Sequence, residues 1–425
     1  MMKLLIISYS YPPALTPRAF RWAAIASELA RRGHEVHVLC AASGAEGPDK
    51  DGVVVHRVGD WLLDGAARVS AGTPSSGAMN GPSWRGWLRR GIRSLWRLLY
   101  WPDFACGWLI PATRAARRLA AEHHFNWIIT VSLPFTGHLV GLLSVSQARR
   151  ARWLVDIGDP FHLMREPAPN NAGIYSRLNR SIEARIISSA DSVSVTTSST
   201  QQLYAAFFGI HPNRITVIPP LLSLPPLPAP SKRTADAPLR LVFAGTLYSQ
   251  LRSPNFLISC LSALLEEQPE KPLELHFYGA LNDCAAELAA CPLTLRGAVI
   301  MHGMVDRAQV LQAMADADVL INIGNNSEAQ LASKVIEYMA AGKPILNLVS
   351  IPQDASLSTF CDYPAVLTLY RDDGLSPTTV ALLRDFIFSP PVVPADAVTE
   401  VRERFSSSRI AGKYEEILNS FGPRS

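Results

Sequence analysis

The chain has little charge, no paired cysteines and no long apolar run. Charged residues make up 18% of its 425 positions, which excludes a charge-rich filament, and the 48% apolar content excludes a disordered chain. A formal net charge of +4 is too mild to make nucleic acid a general partner. The six cysteines (Cys40, Cys106, Cys260, Cys284, Cys291, Cys361) form no C-x-x-C pair and no His-Cys cluster at zinc spacing. That pattern fits a reduced compartment, hence a cytoplasmic protein. No stretch reaches the roughly 18 uninterrupted apolar residues of a spanning helix. The opening Lys3–Ile7 run is too short for a signal peptide, and Pro12-Pro13 follow at once. No G-x-G-x-x-G follows the first strand, which argues against a nicotinamide enzyme.

What is present is a strand-helix alternation in two series, on a chain long enough for two domains. Lys3 to Ser8 is a continuous apolar run of the kind buried in a parallel sheet. A helix is predicted from Thr16 to Arg32, with Thr16 as N-cap, Pro17 at its first position and Gly33 as the stop. Strands follow at Glu35 to Leu39, Trp127 to Ser132, Trp153 to Ile157, Ser192 to Thr196 and Ile215 to Ile218, with helical patterns near 111–122, 136–149 and 174–189. Residues 219–238 hold seven prolines and read as a linker between domains at 1–218 and 239–400. The second series runs through Leu239 to Gly245, Leu273 to Tyr278, Val299 to His302, Val319 to Ile323 and Pro344 to Leu348. A last helix near 402–420, in the segment 401–425, is expected to pack back on the first domain. The fold class is α/β, two doubly wound Rossmann-like domains facing across a cleft at the carboxyl ends of their strands.

The second domain carries the sharper motif. In N-I-G-N-N-S-E-A-Q-L-A-S-K-V-I-E-Y-M-A-A-G-K-P-I-L (Asn322 to Leu346) a strand gives way to a polar loop, then to a helix from Ser333 to Ala341 stopped by Gly342. The unpaired N–H groups at that helix start suit a diphosphate, and Lys334 in the first turn adds a full charge. Glu337, three residues on, shares nearly the same face and suits the vicinal hydroxyls of a ribose. Residues 84–101 read as a basic amphipathic helix, with Arg85, Arg89, Arg90, Arg93 and Arg97 on one side and Trp and Leu on the other. It suits an anionic membrane surface, and equally a helix packed on the first domain with an arginine-rich outer face. The two D-x-D matches, Asp49-Lys50-Asp51 and Asp316-Ala317-Asp318, each precede an apolar strand run and read as structural. No metal or cofactor is expected.

The segment S-K-V-I-E-Y-M-A-A-G-K-P-I-L closely resembles the donor site of the GT-B-fold retaining glycosyltransferases, the group 1 and family 4-like transferases. The resemblance implies a nucleoside-diphosphate sugar as donor and a glycan or lipid-linked acceptor. Glu337 matches the second glutamate of the family's E-x7-E pair, and the first falls on Ala329. Leu241 to Leu247 resembles the family's strand-Gly-x-Leu element. There Gly245 lets backbone approach the ligand, and Arg252, before Ser253-Pro254, is the candidate to neutralise the leaving diphosphate. In the first loop Thr16-Pro17-Arg18 stands where many members have Gly-Gly. Arg18 and Arg21 are placed either to meet a phosphate of donor or acceptor or to form salt bridges on a helix face.

Two further segments, S-L-P-F-T-G-H (Ser132 to His138) and D-I-G-D-P-F-H (Asp156 to His162), resemble S-x-P-x-x-x-H and D-x-R-D-P-W segments of a branch acting on bacterial surface polysaccharides. Gly158 replaces the usual Arg and Phe161 the usual Trp. Asp159 is the candidate for orienting or deprotonating the acceptor hydroxyl, with Asp156 as a buried orienter and His138 or His162 as alternatives. A lipid-linked acceptor would place the protein peripherally on the inner face of a membrane. A nucleotide-sugar epimerase on the same fold, or a non-catalytic sugar-nucleotide-binding or scaffold protein, stays open at this level.

Overall fold

A computed structural model of the chain describes residues 1–42, 52–61, 99–145, 151–164, 168–234, 236–267 and 271–421. The basic segment expected at 84–101 lies outside the described residues except for 99–101, and Asp49-Lys50-Asp51 lies outside them entirely. The chain divides into two compact units. The first is built from 1–196, 201–219 and 407–425, the second from 197–200 and 220–406.

The first unit is a seven-stranded parallel sheet in the order β3-β2-β1-β4-β5-β6-β7. Its strands are β1 (Lys3–Ile7), β2 (Glu35–Ala41), β3 (Val53–Val58), β4 (Trp127–Val131), β5 (Arg152–Ile157), β6 (Ser192–Val195) and β7 (Ile215–Val217). The runs at β1 and β4 are apolar on both sides because helices cover both faces, and Leu4 to Ile7 are fully buried. Helix α1 (Pro17–Arg31) starts where Thr16 accepts the Ala19 N–H at 3.2 Å. It buries Trp22, Ile25, Ala26 and Leu29 along one stripe, and the chain leaves it through Gly33 at φ +89°. Helices α2 (Leu109–His123), α3 (Thr136–Val145), α4 (Ala172–Ser189) and α5 (Ser198–Phe208) follow.

The second unit is a six-stranded parallel sheet in the order β10-β9-β8-β11-β12-β13. Its strands are β8 (Leu239–Ala244), β9 (Leu273–Tyr278), β10 (Val299–Gly303), β11 (Val319–Ile323), β12 (Ile345–Val349) and β13 (Val366–Tyr370). The helices that matter below are α6 (Asn255–Glu266), α7 (Arg307–Asp316), α8 (Lys334–Ala340) and α9 (Ala355–Phe360), with α10 (Pro377–Phe388) and α11 (Ala395–Arg404) further on. In each sheet the strand order reverses once, between β1 and β4 and between β8 and β11, and ligands of such sheets bind outside the carboxyl ends at that reversal.

Two segments behave differently from the sequence reading. The proline-rich stretch is held on the second unit: Leu224 is buried in its core, Ser231 bonds Asp316 at 2.6 and 2.8 Å, and Arg233 pairs with Asp318 at 2.9 Å. The helix expected near 402–420 is two helices. The first, α11, belongs to the second unit, and α12 (Ser407–Asn419) belongs to the first. There α12 lies on α1, with Glu415 bonded to Arg32 at 2.7 Å and to His34 at 2.9 Å, and the Trp127 indole donating to the Leu418 carbonyl.

Candidate active site

At the reversal in the second sheet, the loop leaving β8 and the loop leaving β11 are zipped together. The Ala244 N–H, at the end of β8, donates to the Tyr338 hydroxyl at 2.9 Å. Gly279, at φ +126°, then presses against the Gly245 carbonyl so closely that a side chain at 279 has no room. After Gly245 the chain makes a tight turn, closed by Arg252 N–H to the Tyr248 carbonyl at 2.7 Å, and the turn carries Arg252 back toward the strand ends. Its guanidinium donates to Asn325 Oδ1 at 3.2 and 2.6 Å and to the Thr246 carbonyl at 3.1 Å. Asn325 follows β11 and in turn donates to the Gln330 carbonyl at 2.7 Å. All of Arg252's partners are neutral, and among the described residues no carboxylate lies within ion-pair distance of it. Burial holds its pKa below the usual arginine value. Asp354, the N-cap of α9, backs this loop. Its Oδ2 is buried with no hydrogen-bond partner among the described residues and lies against Gly324, where any side chain would strike it, and burial raises the carboxyl pKa.

The helix of the motif is α8. It starts at Lys334, one residue after the sequence reading; Ser333 is its exposed N-cap residue, and the Ser333 hydroxyl makes no capping bond. The Lys334 ammonium has no hydrogen-bond or ion-pair partner among the described residues. Burial holds its pKa below the usual lysine value, opposed by Glu337 and reinforced by Arg307 and Arg252. Glu337 is mostly buried and is gripped by both ends of the Arg307 guanidinium at 2.9 and 3.2 Å. Arg307, at the start of α7, and Asn325 were missed by the sequence reading: each meets its partner only through the folded sheet. Ala329 is buried, and Glu328 beside it is exposed. Asp316 and Asp318 are engaged by Ser231, Arg233 and the Arg240 N–H, at the strand entries.

In the first domain the structure separates residues that the sequence grouped. Arg18 lies in the first turn of α1, and its guanidinium fills the space a side chain at Gly158 would take. It pairs there with Asp159 at 3.2 Å, with side-chain exposures of 18% and 32%, so the pair remains reachable from outside. The loop beneath is fixed by Ser132, which accepts the Gly158 N–H, and by Glu183. The Glu183 carboxylate takes the Phe161 and His162 N–H groups at 3.1 and 2.8 Å and the Tyr204 hydroxyl at 2.6 Å. Phe135 and Phe161 stack at 3.8 Å.

Three assignments are corrected. Arg21 is not a phosphate ligand: it is buried and donates to the Pro219 and Ile218 carbonyls and to the Tyr414 hydroxyl. Asp156 is buried, as expected of an orienter, but it holds neither Asp159 nor Arg18: it is 1% exposed and accepts from Trp22, Ser194 and Tyr414 at 3.1, 2.7 and 2.7 Å. His138 is unsuited to proton abstraction, since burial pushes its pKa down to about 3. Its Nδ1 is bonded to Thr130 at 2.8 Å, and its buried Nε2 has no partner among the described residues.

The Arg18–Gly158 fit gives a direct test. Gly158→Ala expels the guanidinium, so it and Arg18→Ala are each expected to lower sugar transfer about tenfold, and the double variant no further, as for residues acting as one unit. Additive losses in the double-mutant cycle contradict the coupling.

Comparison with known proteins places the chain in a family. Residues 21–224 match the Glycosyltransferase Family 4 model and residues 238–351 match the model of Glycosyl transferases group 1. The D-inositol 3-phosphate glycosyltransferase of Kineococcus radiotolerans is 24% identical over 352 residues, covering 76% of this chain and 70% of that one. Among solved structures, the sucrose-phosphate synthase of Thermosynechococcus elongatus superposes with a TM-score of 0.63 at 13% identity, covering 99% of each chain. WaaG, a glycosyltransferase involved in lipopolysaccharide biosynthesis, superposes with a TM-score of 0.53 at 14% identity over 98% of this chain and 100% of that one. The chain belongs to the GT-B-fold glycosyltransferases, with a family 4 segment followed by a group 1 segment.

Proposed function

We propose that this glycosyltransferase takes its sugar from a nucleoside-diphosphate donor and moves it to a hydroxyl of a glycan or lipid-linked acceptor, with retention of the anomeric configuration. The observation that carries the donor class is the pair Lys334 and Arg252. Two half-buried cations, one in the turn after β8 and one at the start of α8, neither with an acidic partner among the described residues, are held at a cost that an anionic ligand offsets. A diphosphate supplies that charge, and as the bond from the anomeric carbon to the diphosphate oxygen breaks, the negative charge growing there meets both cations. No metal is part of this proposal. Glu337, preset by Arg307, retains lone pairs for ribose hydroxyls, and Asp159, paired with Arg18, orients the acceptor hydroxyl in the first domain.

A role in cell-surface polysaccharide assembly is supported by the likeness to WaaG, a glycosyltransferase involved in lipopolysaccharide biosynthesis, and a place at the cytoplasmic face of a membrane belongs to the same proposal. No helix of the described residues is long and apolar enough to cross a membrane. The ribose role is tested by Glu337→Gln, which keeps the shape and removes the charge. The donor dissociation constant is expected to rise about tenfold, a loss of about 1.4 kcal/mol. Unchanged donor affinity in that variant removes Glu337 from the site.

A further inference from the structure

The first sheet gathers ligand-type side chains that the sequence scatters. Glu35 and His37 alternate along β2 and so point to one face. His56, on the neighbouring β3, shares that face, because Leu39 and His56 are register partners as are His37 and Val54. His123 is the last residue of α2, and the chain turns away after it through His124 at φ +50°. One ligand atom each from Glu35, His37 and His123 lies within 4.8 Å of the others. The His37 ring uses both nitrogens: Nε2 faces Glu35 Oε1 at 3.3 Å, and Nδ1 meets His56 Nε2 at 3.0 Å. Lys3 holds the other Glu35 oxygen at 3.1 Å, and Phe125 walls the His37 and His123 rings at 5.2 and 5.7 Å.

The second sheet supplies an internal comparison. Glu274 and His276 on β9 and His302 on β10 repeat the same two contacts, both at 3.0 Å. The Glu-x-His pair with a histidine on the next strand therefore serves the sheet itself. What differs is the third group, for in the second sheet Tyr278 stacks on His302 at 4.1 Å where the first sheet brings in His123. Among the described residues, Glu35, His37 and His123 form the one group of three potential ligands.

We propose that Glu35, His37 and His123 bind a divalent late first-row ion, zinc foremost, with water in the fourth tetrahedral position, so that the ion ties β2 to the end of α2. Two imidazoles and a carboxylate are a zinc-type donor set and do not suit magnesium or calcium. Ligand atoms around a tetrahedral zinc stand about 3.3 Å apart, from bond lengths of about 2.0 to 2.1 Å, and the Glu35–His37 pair already has that spacing. His56 fills the role of the outer partner that fixes a ligating histidine by bonding its other ring nitrogen. The ion takes no part in sugar transfer.

The test uses the full chain without a histidine tag, stripped with a chelator and titrated with Zn²⁺ alone at pH 7.5. One ion per chain is expected, with affinity falling about a hundredfold in His123→Ala and about tenfold in His56→Ala, and unchanged in His276→Ala. Zinc should raise the melting temperature of the wild type and not of His123→Ala, and Co²⁺ should give the visible absorption of a tetrahedral site. His123→Gln replaces the alanine variant if circular dichroism shows the latter misfolded. A wild type that binds no zinc, binding that survives His123 substitution, or binding that disappears in His276→Ala overturns the proposal.

Discussion

Lys334→Ala is expected to lower turnover by about a hundredfold to a thousandfold, the cost of removing one group that stabilises developing negative charge, while the protein keeps its fold. Nothing in the free protein depends on this ammonium: it makes no hydrogen bond or ion pair among the described residues, and burial disfavours its charge. Removing a poorly solvated, unpaired charge should leave the melting temperature unchanged or raise it. A residue that loses activity without losing stability is one whose partner is the ligand. Steady-state kinetics beside a thermal melt checks both halves. A drop in stability that tracks the drop in rate contradicts the reading, because it makes Lys334 part of the scaffold.

Asp156→Ala should behave in the opposite way. Its carboxylate ends a buried chain of bonds in which Arg21 donates to the Tyr414 hydroxyl at 3.1 Å and Tyr414 donates to Asp156 at 2.7 Å. Trp22 of α1 and Ser194 of β6 donate to the same group. The network therefore joins the first helix, two strands and α12. Truncation strands three donors and leaves the buried Arg21 charge without its counter-charge, a loss of about 3 to 5 kcal/mol from a domain stability of about 5 to 15. The melting temperature should fall on the order of 10 °C, and proteolysis should release the α12 segment first. A variant that melts like the wild type yet transfers no sugar would restore Asp156 to the chemistry.

Arg18 and Arg21 show what the sequence could not convey. They sit three residues apart on one helix, and spacing alone leaves both free to meet a phosphate. One reaches the loop after β5, and the other is buried by Tyr414, from a helix 393 residues later in the chain. The donor motif was legible because its parts are local: Lys334 and Glu337 lie within one turn. Their partners were not, since Arg307 reaches Glu337 and Asn325 reaches Arg252 only through the strand order. Strand-helix alternation marked the buried strands, whose apolar runs are long. The edge strands β3 and β13 went unseen because Arg57 and Thr368 interrupt their apolar pattern. The histidines of the first sheet are likewise invisible as a group until β2, β3 and the end of α2 are placed.

The donor class is tested most directly by titrating wild type and Lys334→Ala with free nucleoside diphosphates (UDP, GDP, ADP, dTDP) in a calorimeter. At least one should bind the wild type and bind the variant at least about tenfold more weakly, a difference of about 1.4 kcal/mol. Binding of none of them, or equal binding by both proteins, contradicts a diphosphate site at Lys334 and Arg252.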